Sequence, residues 1–254
     1  MNGGVEVLVE VRGGRSRVVG LAARPPLAAR VVAGPSGSPE LVLVGSAAGL
    51  LEGDTVSVDV TLRPHARLRV RTTAATLAHP CPGGGSTEAT VTARLGRGAA
   101  LAWLPEPLVA FAACRHRART RVMLSAGAAA VWYEAVTLGR SGERAGAVDL
   151  RLDATLDGAP LLRDGLRAGG GTSAGSPAVL GGLRHAGSVH LLGRRPADKG
   201  PCVLELAGPG ATARAVAPDA ASLEHLLAPV RDRFLERLPD PSTSPEPKEA
   251  SVHA

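Results

Sequence analysis

Few residues in this chain have the types and spacing that chemistry requires. His79-Pro80-Cys81 sets an imidazole and a thiol two positions apart, beside a glycine-rich loop. Such a pair suits a transition metal, but two ligands make an open, weak site. Cys114-Arg115-His116-Arg117 repeats the pairing with two arginines that repel a cation. Gly171-Thr172-Ser173-Ala174-Gly175 has the G-x-S-x-G form of a hydrolase nucleophile. A nucleophile elbow needs a buried strand before the serine and a helix after it. Ser173 instead sits in a Gly/Ser stretch closed by Pro177. Glu134 follows Trp132-Tyr133, and Glu143 ends Gly139-Arg140-Ser141-Gly142-Glu143. Lining a water-filled passage, these carboxylates would be hard oxygen ligands for a divalent ion; packed beside arginine, they would be salt bridges. Asp54 closes a glycine-punctuated stretch that starts at Gly45, where a carboxylate caps the turn by accepting from backbone N–H groups. No G-x-x-x-x-G-K-[ST] and no H-E-x-x-H occurs, so P-loop nucleotide binding and zincin chemistry are not encoded.

The elements that must position these residues read as strands. Residues 5–11, VEVLVEV, alternate apolar and acidic side chains. In Thr55–Leu62, Val56, Val58, Val60 and Leu62 share one face. Arg67–Thr73, Arg17–Leu21, Leu27–Val32 and Glu40–Val44 continue the pattern, followed by Arg119–Leu124, Ala129–Leu138, Val148–Leu156, Ser188–Leu192 and Cys202–Leu206. Asp157-Gly158 is a hairpin-turn signal. A faint repeat joins Leu62…Ala66…Leu68…Val70 to Leu95…Ala99…Leu101…Trp103 and to Leu124…Ala128…Ala130…Trp132. It reads either as stacked strand units, each unable to bury its face alone, or as three ordinary hairpins. Trp103 is expected to anchor the core. The stretch 168–177 reads as a flexible loop.

Pro218 to Leu238 changes character. Leu223, Leu226, Leu227, Val230, Phe234, Leu235 and Leu238 fall at helical spacing, Asp219 or Ser222 can cap the start, and Pro229 is expected to kink or split the helix. The expected organisation is a strand-rich domain over 1–217, a helix over 218–238 that packs on it or on a partner, and a disordered tail over 239–254.

Composition agrees. The 254 residues are 44% hydrophobic but only 2% aromatic, with 32 Gly and 20 Pro, which suits short strands and many turns rather than a helical bundle. Net charge is +6, yet charges of both signs are interspersed and aromatics for base stacking are scarce, so nucleic acid is not the expected partner. Three cysteines without a C-x-x-C pair argue for a reducing compartment, and a cytoplasmic location is expected. Met1–Glu6 lacks signal-peptide character, and the most apolar stretch, Ala99–Ala113, is broken by Pro105, Glu106 and Pro107, so no membrane span is expected.

Taken in order, these segments resemble the urease accessory protein UreD (UreH) family. Gly45–Asp54 looks like its G-G-x-x-x-G-D loop, and Thr72-Thr73-Ala74-Ala75-Thr76 like its T-T-x-A-x-T element. Leu101–Pro107 resembles L-E-W-L-P-x-P, Gly127–Glu134 resembles G-A-x-x-x-x-x-E, and Gly139–Glu143 is similar to G-R-x-x-x-G-E with one residue missing. Ala74, Leu77 and Ala102 stand where the family pattern usually has Gln, Lys and Glu, and Ser46 where Gly is common.

The resemblance implies a mainly β fold, a stacked-strand β-helix or solenoid-like architecture with a C-terminal helical segment. It implies a non-enzymatic metallochaperone scaffold that binds apo-urease with UreF and the GTPase UreG and assists nickel delivery through an internal tunnel. No tightly bound cofactor is expected, only transient Ni²⁺. A conduit must hold its ion weakly, so scattered carboxylates suit it better than a closed His/Cys site. Asp54, Glu134, Glu143 and Asp164 are the tunnel candidates, with Thr72 and Thr73 lining the same path. His79 and Cys81 are the alternative ligands where the ion comes in. Leu223, Leu227 and Phe234 are the candidate UreF contact. Two rivals remain: a β-solenoid protein-binding module without a metal role, and a hydrolase using Ser173 or Cys114.

Overall fold

A computed structural model describes residues 1–169, 179–197, 200 and 202–239. The stretch holding Ser173 and residues 240–254 of the expected tail lie outside the described residues.

Two hairpins open the chain. β1 (Asn2–Arg12) pairs antiparallel with β2 (Arg15–Arg24), and β3 (Leu27–Ala33) with β4 (Pro39–Gly45). The tight turn at Gly13-Gly14 has positive φ at both positions, as the right-handed twist of the flanking strands requires. Three rungs follow, each a pair of strands joined by a short corner: β5 (Thr55–Leu62) with β6 (Arg67–Thr72), β8 (Thr87–Leu95) with β9 (Ala100–Leu104), and β11 (Arg115–Leu124) with β12 (Ala129–Leu138). Between β6 and β8 lies β7 (Thr76–Ala78), and between β9 and β11 lies β10 (Leu108–Ala110). β13 (Ala147–Leu156) turns at Asp157-Gly158, again with both φ positive, into β14 (Ala159–Ala168). β15 (His185–Leu192), β16 (Val203–Glu205), β17 (Gly210–Ala217) and helix α1 (Ala220–Leu235) complete it.

The rungs stack in parallel into two facing sheets. One runs β14-β13-β11-β8-β5-β1-β2; the other runs β16-β17-β15-β12-β9-β6-β4-β3, with β7 and β10 attached at β12. Pairing is parallel at the centre, β1-β5-β8-β11-β13 and β4-β6-β9-β12, and antiparallel towards the edges. The architecture is thus mainly β and solenoid-like with a C-terminal helix, and of the two readings of the repeat the stacked one holds. Leu62, Leu95, Leu124 and Leu156 are direct register partners, as are Val70, Trp103 and Trp132. The Trp103 and Trp132 rings stack at 4.8 Å between centroids and 8° between planes.

A core dominated by Val, Leu and Ala fills the space between the sheets, as the composition demands. A second core lies outside the larger sheet, where Leu223, Leu227, Val230 and Phe234 pack on Val131, Tyr133, Val189 and Leu191. Gly187 is what allows this approach: a Cβ there would lie 2.8 Å from Leu227 Cδ1. This corrects the expectation of a partner contact. Leu223, Leu227 and Phe234 are only 3%, 2% and 2% exposed, so their apolar area is already used within the chain, and Leu226 is the outward residue. Asp219 caps the helix by accepting from Ser222 N, and the helix runs through Pro229 as one segment.

Candidate functional site

Each rung has a short corner at one end and a long loop at the other. The corners are residues 63–66, 96–99 and 125–128; the loops are 73–86, 105–114 and 139–146. Tight turns leave no room for a site, whereas the loop end gathers the stretches singled out in the sequence.

Inside the loop end the sheets do not close on one another. A cavity of about 450 Å³ runs from the 45–50 and 72–77 loops down between the sheets. Its position follows from side-chain size. The inward row nearest the corners is Leu62–Leu95–Leu124–Leu156, whereas the row Val56–Ala89–Ala118–Leu150, three inward positions towards the loops, has alanine at its two middle positions. A second, smaller cavity of about 90 Å³ adjoins it, lined by Asp164 and Arg214. Glu134, Ala135 and Leu150 line both. Thr72 and Thr73 line the larger cavity, Asp164 lines the smaller one, and Glu134 lines both.

Glu134 stands at the junction. Its Oε1 accepts from Trp132 Nε1 at 2.9 Å and from the Thr120 hydroxyl at 3.3 Å. Burial pushes its carboxyl up; the two hydrogen bonds pull it down, the nearby Asp164 charge pushes it up again, and the net shift is upward. Thr72 braces the mouth: its hydroxyl donates to Ala74 O and accepts from Glu106 N, both at 2.9 Å.

Asp164 crosses from the edge of one sheet to the other. Arg214 donates to its Oδ1, Gly165 N donates at 2.8 Å, and its Oδ2 lies 3.4 Å from His190 Nε2. Burial pushes this carboxyl up, but the Arg214 hydrogen bond and the neighbouring charges outweigh it, and the group is held below the usual carboxylate range. Burial pulls His190 down to about 4 against the attraction of Asp164. The imidazole is then neutral near pH 7, so Arg214 is what keeps Asp164 ionised.

The remaining candidates line neither cavity. Asp54 accepts from the Met1 amino group and, at 2.9 Å, from Leu51 N, so it fastens the chain start to the Leu51–Asp54 turn. Glu143 takes Arg140 Nε at 2.7 Å, Arg140 N at 3.0 Å and Ala112 N at 3.4 Å, which hold it down at about 2 and bracket two loops together. His79 Nε2 lies 2.9 Å from Ala48 O, a contact that only an Nε2–H satisfies, and its ring stands edge-on to Phe111 at 4.9 Å. Cys81 is buried with its Sγ 3.8 Å from His79 O. Burial pushes the Cys114 thiol up to about 11, which disfavours the thiolate, and its Sγ lies 3.8 Å from Ala147 O.

Two cavity residues were not among the tunnel candidates. Glu106 sits exposed at the mouth. His116 is buried beside the cavity, its Nδ1 at 2.8 Å from the Thr87 hydroxyl, and burial pulls it down to about 4. The period-2 alternation from Leu124 back through Val122, Thr120 and Ala118 places His116 on the inward face; that signal was present in the sequence.

Among the described residues no three or more His, Cys, Asp and Glu side chains gather closely enough to hold a metal ion, and no helix is long and apolar enough to cross a membrane.

Comparison with known proteins is unambiguous. Residues 1–246 match the family described as UreD urease accessory protein. The chain is 33% identical over 258 residues to the urease accessory protein UreD of Parafrankia sp. (strain EAN1pec), covering 90% of this chain and 87% of that protein. It is 36% identical over 213 residues to that of Streptomyces coelicolor, covering 80% and 84%. With that of Streptomyces avermitilis it shares 34% identity over 227 residues, covering 85% and 90%.

Proposed function

The chain belongs to the UreD family of urease accessory proteins, and from that premise we propose that it is a non-enzymatic, cytoplasmic scaffold that binds apo-urease together with UreF and UreG and lets Ni²⁺ pass through its interior to the urease active site. The observation that supports this reading is a pair of cavities with a common wall at Glu134, the larger lined by Thr72 and Thr73 and the smaller by Asp164, which this reading joins into one interior path. Nickel is cargo here, and the donors along the path suit cargo. They are separate oxygen ligands, none of them grouped into a site that would retain the ion.

Each path residue has a distinct part. Glu106 attracts the hydrated cation at the mouth. The Thr72 hydroxyl keeps the mouth open by tying the Glu106 backbone to the 72–76 loop. Water and the Glu134 carboxyl replace hydration inside, and the raised proton affinity of Glu134 weakens its grip, so the ion moves on. Asp54, Glu143 and the His79–Phe111 contact hold the surrounding loops in place rather than touching the ion. A chain of this design needs no P-loop, because hydrolysis belongs to the GTPase partner.

The test is reconstitution. The full chain is expressed with UreF, UreG and the urease subunits, and urease is activated with Ni²⁺ and GTP. A co-purifying complex, with activation lost when this chain is omitted, is the expected result. A complex whose activation is indifferent to Glu134→Gln and Asp164→Asn would favour the binding-module reading instead.

A further inference from the structure

The positive charge of the chain is concentrated in one place. β11 turns Arg115, Arg117, Arg119 and Arg121 to the outer side of its sheet, at successive outward positions about 7 Å apart, while His116, Thr120 and Val122 point inward. β13 and β14 continue the face in register. Arg117 lies opposite Asp149 and then Arg167, Arg119 opposite Arg151, and Arg121 opposite Asp153 and then Arg163. On these three strands seven outward guanidiniums stand against two outward carboxylates, in a chain whose whole net charge is only +6.

The carboxylates are already shared out. Asp149 alone serves Arg119 at 3.0 Å, Arg151 at 3.3 Å and Arg167 at 3.3 Å, and Asp153 takes Arg163 at 2.7 Å. Arg117 reaches Glu88 of β8 at 3.6 Å. Arg115 donates to Gly84 O, which cancels no charge, and Arg121 forms no ion pair among the described residues. Arg119 and Arg151, directly opposite one another, repel. Folding does not require this surplus. Thr90 and Thr92 fill the equivalent outward positions of neighbouring β8, and threonine suits a strand at least as well as arginine. Helix α1 covers part of the outer face of the other sheet, whereas this face is open: Arg117, Arg167 and Arg163 are 59%, 69% and 88% exposed.

We propose that the outer face of β11, β13 and β14 is a docking surface for a protein partner with a flat acidic patch, whose carboxylates supply the counter-charge that Asp149 and Asp153 leave short. Charge complementarity selects this occupant. Guanidiniums take carboxylates as two-pronged partners, and a sheet face presents them in fixed rows. A second copy would set arginine on arginine. A nucleic acid would meet Asp149, Asp153 and Glu88 within the patch and would find no Phe, Trp or Tyr on these strands to stack on. Placing the partner within the urease assembly rests on the function proposed above; the charge surplus does not.

The test measures binding of the full chain to purified UreF, UreG and apo-urease subunits, each separately, at about 50 and about 300 mM salt. Arg117→Glu combined with Arg121→Glu is expected to weaken binding of one of the three by roughly tenfold or more, and wild-type binding of that partner is expected to fall steeply with salt. Arg15→Glu with Arg17→Glu, the same change of charge on exposed positions of β2, is expected to bind like wild type. Unchanged binding of all three in the β11 variant overturns the proposal. So does an equal loss in the β2 control, since net charge alone would then account for it. A DNA duplex bound as tightly as the protein partner and lost in the β11 variant, or a wild-type dimer that the variant disperses, assigns the face to another occupant and overturns it too. Should the β11 variant fail to fold, shown by its melting curve, Arg117→Gln with Arg121→Gln decides by the same criteria. If none of the three proteins binds wild type, the accessory role is defeated, and a fluorescent deca-glutamate peptide becomes the probe. Weaker binding of that peptide to the β11 variant than to the β2 control sustains the surface; equal binding overturns it.

Discussion

Towards the corners the space between the sheets is solid; towards the long loops, a few residues further along the same strands, it opens. Both halves come from the same rungs and the same hydrogen-bond register, so the backbone does not decide between them. Leu62, Leu95, Leu101 and Leu124 are 3% exposed or less and interdigitate. Ala89 and Ala118, three inward positions back along their strands, stop short of the opposite sheet and leave the cavity. Here alanine at an inward position is a positive choice, and polar groups such as Glu134 and Thr72 make the space hospitable to water.

The widest contrast comes from truncation. Leu101→Ala in the solid half is expected to cost about 2–5 kcal/mol, read from denaturant midpoints, because the surrounding rungs cannot collapse onto the gap. A cost below about 1 kcal/mol would break the distinction between the halves.

Next in size is a pH effect confined to the open half. His116 has its folded pKa depressed to about 4, so the stability it contributes is present above the unfolded value near 6.5 and is lost as pH falls towards 4. Wild type is expected to lose about 2 kcal/mol more than His116→Gln between pH 7 and pH 5, measured by urea unfolding. Equal losses would mean that His116 already titrates like a solvated imidazole.

Enlarging side chains gives a smaller contrast. Ala93→Leu, in the row Val60–Ala93–Val122–Ala154, overpacks and should cost about 1–3 kcal/mol. Ala118→Leu has the cavity to grow into and should change stability by under about 1 kcal/mol. It should nevertheless suppress nickel-dependent urease activation by obstructing the path. The smallest stability change is expected for Glu134→Gln, within about 0.5 kcal/mol, since the amide oxygen can still accept from Trp132 and Thr120. Activation should fall sharply in the same variant.

Much of this was legible in the sequence, unevenly. The alternation in residues 5–11 and 55–62 marks β1 and β5, and the Leu…Ala…Trp repeat marks the stacked corners, because large inward side chains announce their period. β8 and β17 escaped the reading. In TEATVTARL and GATARAVA the inward positions are largely the small residues Ala and Thr, so although charged residues such as Glu88, Arg94 and Arg214 alternate with them, few bulky inward side chains mark the period. The same smallness that hides these strands creates the cavity beside β8. At the site, Glu134 and Asp164 line the cavities, whereas Asp54 and Glu143 fasten loops. Acidic residues beside glycine-rich turns serve both ends, and only the direction of the strand face separates them. His190 carried no motif at all; its contacts with Thr212 and with Asp164, 26 residues earlier, exist only through the strand pairing and the facing of the two sheets.

The antiparallel hairpins at the outer edges of both sheets have a consequence for assembly. A coil of parallel strands has no intrinsic last rung, since its final edge offers the same template as its first. Here β2 and β14 fold back over the ends of one sheet, and β3 and the β15–β17–β16 run over the ends of the other. Arg15, Arg17 and Arg24 on β2, and Arg163 and Arg167 on β14, add like charge to those boundaries. The chain thereby counts its own rungs and terminates, and a molecule stripped of either hairpin would present a growing end to its copies, turning a finite particle into a fibre.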